Sequence, residues 1–187
     1  DHRDLHRLIR RQRQMCIRDS YEGIQIYGTG HNITKNTLYN NGTHALYIRG
    51  SSMIIEGNNA TGEGSANLPI YVYNGANHNR IINNNFIGLS GANGMQVYYN
   101  IVNNTIENNT IKVSGGGSGI YYRDSQNNTF RGNYIEVNGG IALYMYSNDE
   151  WVVVDRNTLN ATTNDYGFWT QAPVPAGFTF NVTNNYI

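Results

Sequence analysis

From residue 21 onward the chain repeats one short pattern: an apolar residue, two others, Asn, one other, an apolar residue. It reads Ile33/Asn36/Leu38, Ile55/Asn58/Ala60, Ile82/Asn85/Ile87, Ile106/Asn109/Ile111, Phe130/Asn133/Ile135, Val154/Asn157/Leu159 and Val182/Asn185/Ile187. The asparagines stand 22, 27, 24, 24, 24 and 28 residues apart. Ten to fifteen residues before each of them apolar residues alternate: Ile24/Ile26, Leu46/Ile48, Ile70/Val72, Met95/Val97, Ile120/Tyr122, Leu143/Met145 and Phe168/Thr170. Period two predicts strand rather than helix, and the flanking Gly, Asn and Ser supply the turns. A fixed period with short strands in every unit predicts a solenoid, whose units bury their apolar faces by stacking on one another. Units of roughly 24 residues with at least two strands each suit a β-helix better than a leucine-rich repeat, whose Leu and Asn signature is missing.

The repeated Asn has a structural reason. It tolerates the left-handed backbone of a tight turn and bonds the turn's own backbone. Stacked at one position, the amides of Asn36, Asn58, Asn85, Asn109, Asn133, Asn157 and Asn185 form a hydrogen-bonded ladder. The coils fall at residues 23–43, 44–67, 68–93, 94–118, 119–140, 141–166 and, incomplete, 167–187, with insertions at 59–67 and 171–177.

Residues 1–20, DHRDLHRLIRRQRQMCIRDS, stand outside the repeat and hold six of the thirteen Lys+Arg and the single Cys. Leu5, Leu8, Ile9 and Gln12 have the spacing of a capping helix. The same residues on either side of Arg7-Leu8-Ile9 can also be encoded by the DNA of a sequencing-library primer and a transposon end. The second reading makes 1–20 a non-native segment of a gene assembled from environmental DNA, and 21–187 a fragment of a longer protein.

Without that segment there are seven Lys+Arg against ten Asp+Glu and no cysteine. This balance gives no basic footprint for nucleic acid, no disulfide and no thiolate metal site. No apolar run is long enough to span a membrane. His31, His44 and His78 lack metal-ligand spacing, and Met53, Met95 and Met145 read as core fillers. Neither a metal nor a cofactor is expected. Eight N-x-S/T sequons permit glycosylation on a secretory route.

The residues that alternate with the buried ones form two outward columns. One reads Gln25, Tyr47, Tyr71, Gln96, Tyr121, Tyr144, Trp169, and the other Tyr27, Arg49, Tyr73, Tyr98, Arg123, Tyr146, Gln171. So much outward aromatic area points to a ligand, and rings with a polar tip suit sugars. Cross-strand Tyr pairs that merely stabilise the sheet are the alternative. Acids are few. Asp124, with Asp149 and Glu150 one coil on, is the single place where carboxylates of adjacent coils could meet beside the aromatic face, as a glycosidase requires. Turn-forming acids at strand ends are the favoured reading, because Asp is a good turn residue.

The Asn frame and its turn punctuation resemble the right-handed parallel β-helix repeat proteins, the group that includes the NosD-like and the carbohydrate-binding and sugar-hydrolase β-helix domains. The resemblance covers residues 21–187 and implies an all-β, right-handed, single-stranded parallel β-helix of about seven coils. That group includes pectate lyases, polygalacturonases, alginate epimerases, phage tailspikes, the periplasmic NosD protein of copper maturation and surface proteins. The polygalacturonase-type Asn-Thr-Asp and Asp-Asp motifs and an Asp-rich calcium cluster of the pectate lyase kind are missing, so no catalytic residue carries over. The expectation is a non-catalytic, extracellular or envelope-associated segment, periplasmic location included, that contacts a polysaccharide or cell-surface glycan. Its contact residues are Tyr47, Tyr71, Tyr73, Gln96, Tyr98, Tyr121, Arg123, Tyr144, Tyr146 and Trp169. The rivals are a lyase, hydrolase or epimerase with catalytic residues partly outside the fragment, and a surface-layer stalk. Exposed end coils favour end-to-end self-association.

Overall fold

The computed structural model describes residues 22–40, 42–146, 150–163, 166–171 and 180–187. The segment 1–20, Asp149 and most of the insertion at 171–177 lie outside the described residues. The chain winds into a three-sided parallel solenoid. Among the described residues each strand pairs with the equivalent strand of the next coil, giving two sheets of seven strands and one of six. The first sheet starts with Glu22–Ile26 and His44–Ile48, the second with Asn32–Thr34 and Ile54–Glu56, and the third with Thr37–Asn40 and Asn59–Glu63. Each full coil therefore carries three strands of three to six residues.

Alternation sets the core. In the first sheet Leu46, Ile70, Met95, Ile120 and Leu143 point inward at 0% exposure, beside Ile48, Val72, Val97, Tyr122 and Met145. Ile55, Ile81, Ile106, Phe130 and Val154 supply the second sheet's share, and Ala60, Phe86, Ile111, Ile135 and Leu159 the third's. Met53, Met95 and Met145 are all core residues. Ile24, Ile26 and Phe168 in the outer coils are partly buried, and Thr170 is exposed.

The corner between the second and third sheets explains the repeated Asn. Lys35, Gly57, Asn83, Asn108, Gly132, Arg156 and Asn184 all have positive φ there, between 54° and 65°. Each precedes a ladder asparagine, so the left-handed residue of the turn is the neighbour and not the ladder residue itself. At every rung after Asn36 the side-chain oxygen accepts both the backbone N–H and the Nδ2–H of the preceding coil's asparagine, at 2.8–3.0 Å. The second Nδ2 hydrogen goes to a backbone carbonyl, Ile81 in the case of Asn109. Buried amides are thereby fully paired.

One rung corrects the sequence reading. The third is Asn84, not Asn85. Asn84 is 2% exposed and takes both bonds from Asn58, while Asn85 bonds Asn59 on the outside of the third sheet. The inward frame is accordingly Ile81/Asn84/Phe86. Three consecutive asparagines between two apolar pairs fit the pattern in either register, and packing decides. Phe86 fills the core at 0% exposure, whereas Ile87 is half-buried. A one-residue slip would turn every side chain of that strand to the other face.

Candidate functional site

The first sheet carries the two outward columns in register. Gln25 pairs with Tyr47, Tyr47 with Tyr71, Tyr71 with Gln96, Gln96 with Tyr121, Tyr121 with Tyr144 and Tyr144 with Trp169. Beside them Tyr73 pairs with Tyr98, Tyr98 with Arg123 and Arg123 with Tyr146. Parallel pairing puts equivalent residues about 4.8 Å apart, so the rings pack upon one another. Tyr47 lies 5.3 Å from Tyr71 at 7° between planes, and Tyr144 lies 5.1 Å from Trp169 at 10°. Tyr121 meets Tyr144 edge-on at 5.4 Å. Most of the rings are half-buried, and Trp169 is 40% exposed. Ring edges and hydroxyls therefore make up much of what this face shows to solvent.

Two arginines interrupt the second column, each between tyrosine rings. The Arg49 guanidinium is 5.5 Å from the ring centres of Tyr27 and Tyr73 and 5.9 Å from that of Tyr47. Arg123 is 5.2 Å from Tyr98 and 4.8 Å from Tyr146. These are cation–π distances. Both guanidiniums are held even more basic than usual, Arg49 chiefly by its bond to the Tyr27 hydroxyl and Arg123 chiefly by its bond to Tyr121. Burial pushes the Tyr71, Tyr121 and Tyr144 hydroxyls up, so all three stay neutral near pH 7. The arginines differ in one respect. Arg123 Nε donates to Asp124 Oδ2 at 3.0 Å, while no ion pair of Arg49 occurs among the described residues.

Two of the three candidate acids fall among the described residues. Asp124 sits at the end of Ile120–Arg123 with φ of 50°, its carboxylate tied to Arg123. Glu150, on the next coil, bridges Gln126 through the backbone. Asp149 lies outside the described residues. Among the described residues no three His, Cys, Asp or Glu side chains group as a metal site, and no helix is long and apolar enough to cross a membrane.

The sequence reading missed two features. One is a second buried ladder at the corner between the first and second sheets. Asn79 Oδ1 accepts the Met53 N–H, Asn104 Oδ1 the Asn79 N–H, and Asn128 Oδ1 the Asn104 N–H, at 2.7–2.9 Å. Each of the three stands five residues before a rung of the first ladder, a spacing visible in the sequence. The other is His44, whose ring lies 4.8 Å from Tyr71 and 5.5 Å from Tyr47. Its strand breaks alternation, with Ala45 and Leu46 both buried, so period two alone places it on the wrong side. Burial holds its imidazole at a pKa of about 4, against the weaker opposing pull of a backbone bond at Thr43.

Solved structures with similar coils include two that are epimerases by name. The A-module of the mannuronan C-5 epimerase AlgE6 from Azotobacter vinelandii shares 16% identity, covering 86% of this chain and 54% of its own, with a TM-score of 0.63. A double mutant of the periplasmic alginate epimerase AlgG shares 12% identity, covering 88% of this chain and 43% of its own, with a TM-score of 0.58. The chain thus spans about half the length of these structures. At such identities the likeness is one of fold. No curated protein matches the sequence. The right-handed β-helix region matches across residues 22–187, the whole length over which the coils stack, and the chain belongs to that family.

Proposed function

We propose that this chain is an extracellular or periplasmic β-helix segment whose first sheet holds a polysaccharide without cleaving it. The observation that carries the reading is the double column of tyrosines, Trp169 and two ring-flanked arginines, in register across the coils. From Tyr47 to Trp169 the column crosses five coil steps, about 24 Å, enough for several sugar units of an extended chain. The rings already support one another, so little side-chain freedom is lost on binding. Gln96 and the tyrosine hydroxyls offer bonds to sugar hydroxyls. Arg49 offers a cation with a forked donor to an acidic sugar, in keeping with the alginate named for one of the similar structures.

The test is retention on immobilised alginate, polygalacturonate and cellulose. The parent protein is expected to be retained on an acidic polymer, and the triple variant Tyr71→Ala, Tyr98→Ala, Tyr144→Ala to pass through while its circular dichroism stays that of a β-solenoid. A parent that binds none of the three, or a triple variant that binds equally, refutes the reading.

A second reading, an epimerase completed by residues outside this segment, is favoured by the names of the two similar structures. It draws on Asp124 beside Arg123 and Tyr121. Conversion of alginate by the protein, lost in Asp124→Asn, would put this reading in place of the first.

A further inference from the structure

The corner that leads from the first sheet to the second carries two residues that its turn geometry does not ask for. Tyr99 follows Met95–Tyr98 with φ of 75°, and Trp151 precedes Val152–Asp155 with φ of 46°. Left-handed backbone is poorly tolerated by bulky side chains and readily tolerated by Asn and Asp. The neighbouring coils make the ordinary choice. Asn74, whose N–H donates to the Tyr98 carbonyl, and Asp124 hold the position of Tyr99 on either side of it. Asn127, whose N–H donates to the Glu150 carbonyl, and Asn103 before it hold the position of Trp151.

Neither aromatic residue belongs to the core. Tyr99 is 46% exposed and Trp151 49%. Tyr99 continues the aromatic face past the end of its strand, its ring 5.8 Å from that of Tyr98. Between the two aromatic residues the corner is lined by exposed amides: Asn100, Asn103, Gln126 and Asn127. Asn127 Nδ2 donates to Asn103 Oδ1, which fixes the row. Strained backbone that the fold does not require is a mark of function, and rings beside fixed amides are the chemistry that takes sugar faces and hydroxyls.

We infer that the saccharide-binding surface turns this corner, and that Tyr99 and Trp151 are contact residues for sugar units of a polysaccharide whose remaining units lie on the first sheet. The inference rests on the proposed carbohydrate role of that sheet. It separates from a structural role by sign, because replacing a strained residue with the turn's ordinary one relieves the backbone while removing the ring.

The experiment compares the parent with Tyr99→Asn, Trp151→Asn and the double variant, by melting temperature and by affinity for whichever of alginate, polygalacturonate or cellulose the parent binds. The expected result is a melting temperature equal to or above the parent's, with affinity at least tenfold weaker in the double variant and retained in Trp151→Phe. Unchanged affinity overturns the inference. So does a fall in melting temperature alongside the loss of binding, which would make the rings structural. A parent that binds none of the polymers overturns both this inference and the reading of the sheet. Binding that survives the triple tyrosine variant but not the corner variants would refute the reading of the sheet and, with it, the placing of the remaining sugar units there.

Discussion

Asn133 Oδ1 accepts two hydrogen bonds from Asn109, one from its backbone nitrogen and one from Nδ2, both at 3.0 Å. Asn109 in turn accepts the same pair from Asn84. Truncating Asn109 to Ala thus strands two Asn84 donors, takes the side-chain donor from the Ile81 carbonyl and leaves Asn133 Oδ1 only the backbone donor, all in the dry interior. Asn109→Ala is expected to cost about 2–3 kcal/mol. Asn108→Ala, at the exposed left-handed position beside it, is expected to cost about 1 kcal/mol or less. Urea unfolding of the two variants measures the difference.

The same measurement at Asn84 and Asn85 tests the corrected register. Asn84→Ala should lose as much as Asn109→Ala, and Asn85→Ala should stay within about 1 kcal/mol of the parent, since its one partner, Asn59, is exposed. Equal losses would return the third rung to doubt.

His44 makes stability depend on pH in a window of its own. The unfolded imidazole takes up a proton near pH 6.5, whereas the folded one does so only near pH 4, because burial against Tyr47 and Tyr71 disfavours the charge. Between these values the unfolded chain binds the extra proton, so stability falls as pH falls, by ~2 kcal/mol at most once partial exposure is allowed for. Glu136, held low chiefly by Lys112, and Asp155, held low chiefly by Asn184, lose their contributions only as pH drops through the carboxylate range. Melting temperatures measured from pH 7 to pH 5 should therefore decline in the parent and decline less in His44→Phe.

Close backbone stacking at the glycine-rich corner gives a fourth expectation. A Cβ on Gly140 would overlap the carbonyl oxygen of Gly117, whereas one on Gly30 would meet nothing within 4 Å. Gly140→Ala should cost about 3 kcal/mol or more, as overpacking against fixed backbone does. Gly30→Ala should cost only the strain of its φ of 74°, about 1–2 kcal/mol. Thermal unfolding of both variants checks the ranking.

The solenoid was legible because its two signals are local and repeat: alternation at Leu46/Ile48 or Met95/Val97, and an asparagine ten to fifteen residues on. Where a signal was degenerate it failed, as in the run Asn83-Asn84-Asn85, because only the volume of Phe86 in the core separates the two registers. The paired outward columns followed from alternation once the strands were placed. The stacking of Tyr47 on Tyr71 and the caging of Arg49 did not, since they depend on side-chain torsions that no spacing encodes. Nor did the left-handed backbone of Tyr99 and Trp151. There the sequence offers an aromatic residue where neighbouring coils offer Asn or Asp, and only the φ angle shows that the difference carries strain.

Every strand pairing in the three sheets joins a coil to the one before or after it. The chain therefore never has to bring distant segments together; each closure spans roughly 25 residues, at a modest and nearly constant entropic cost. Such a molecule can gain order one coil at a time, from any starting coil, and its folding rate is set by the first stable pair of coils rather than by total length. A chain emerging from synthesis could lay down each coil on the last as soon as its three strands were complete.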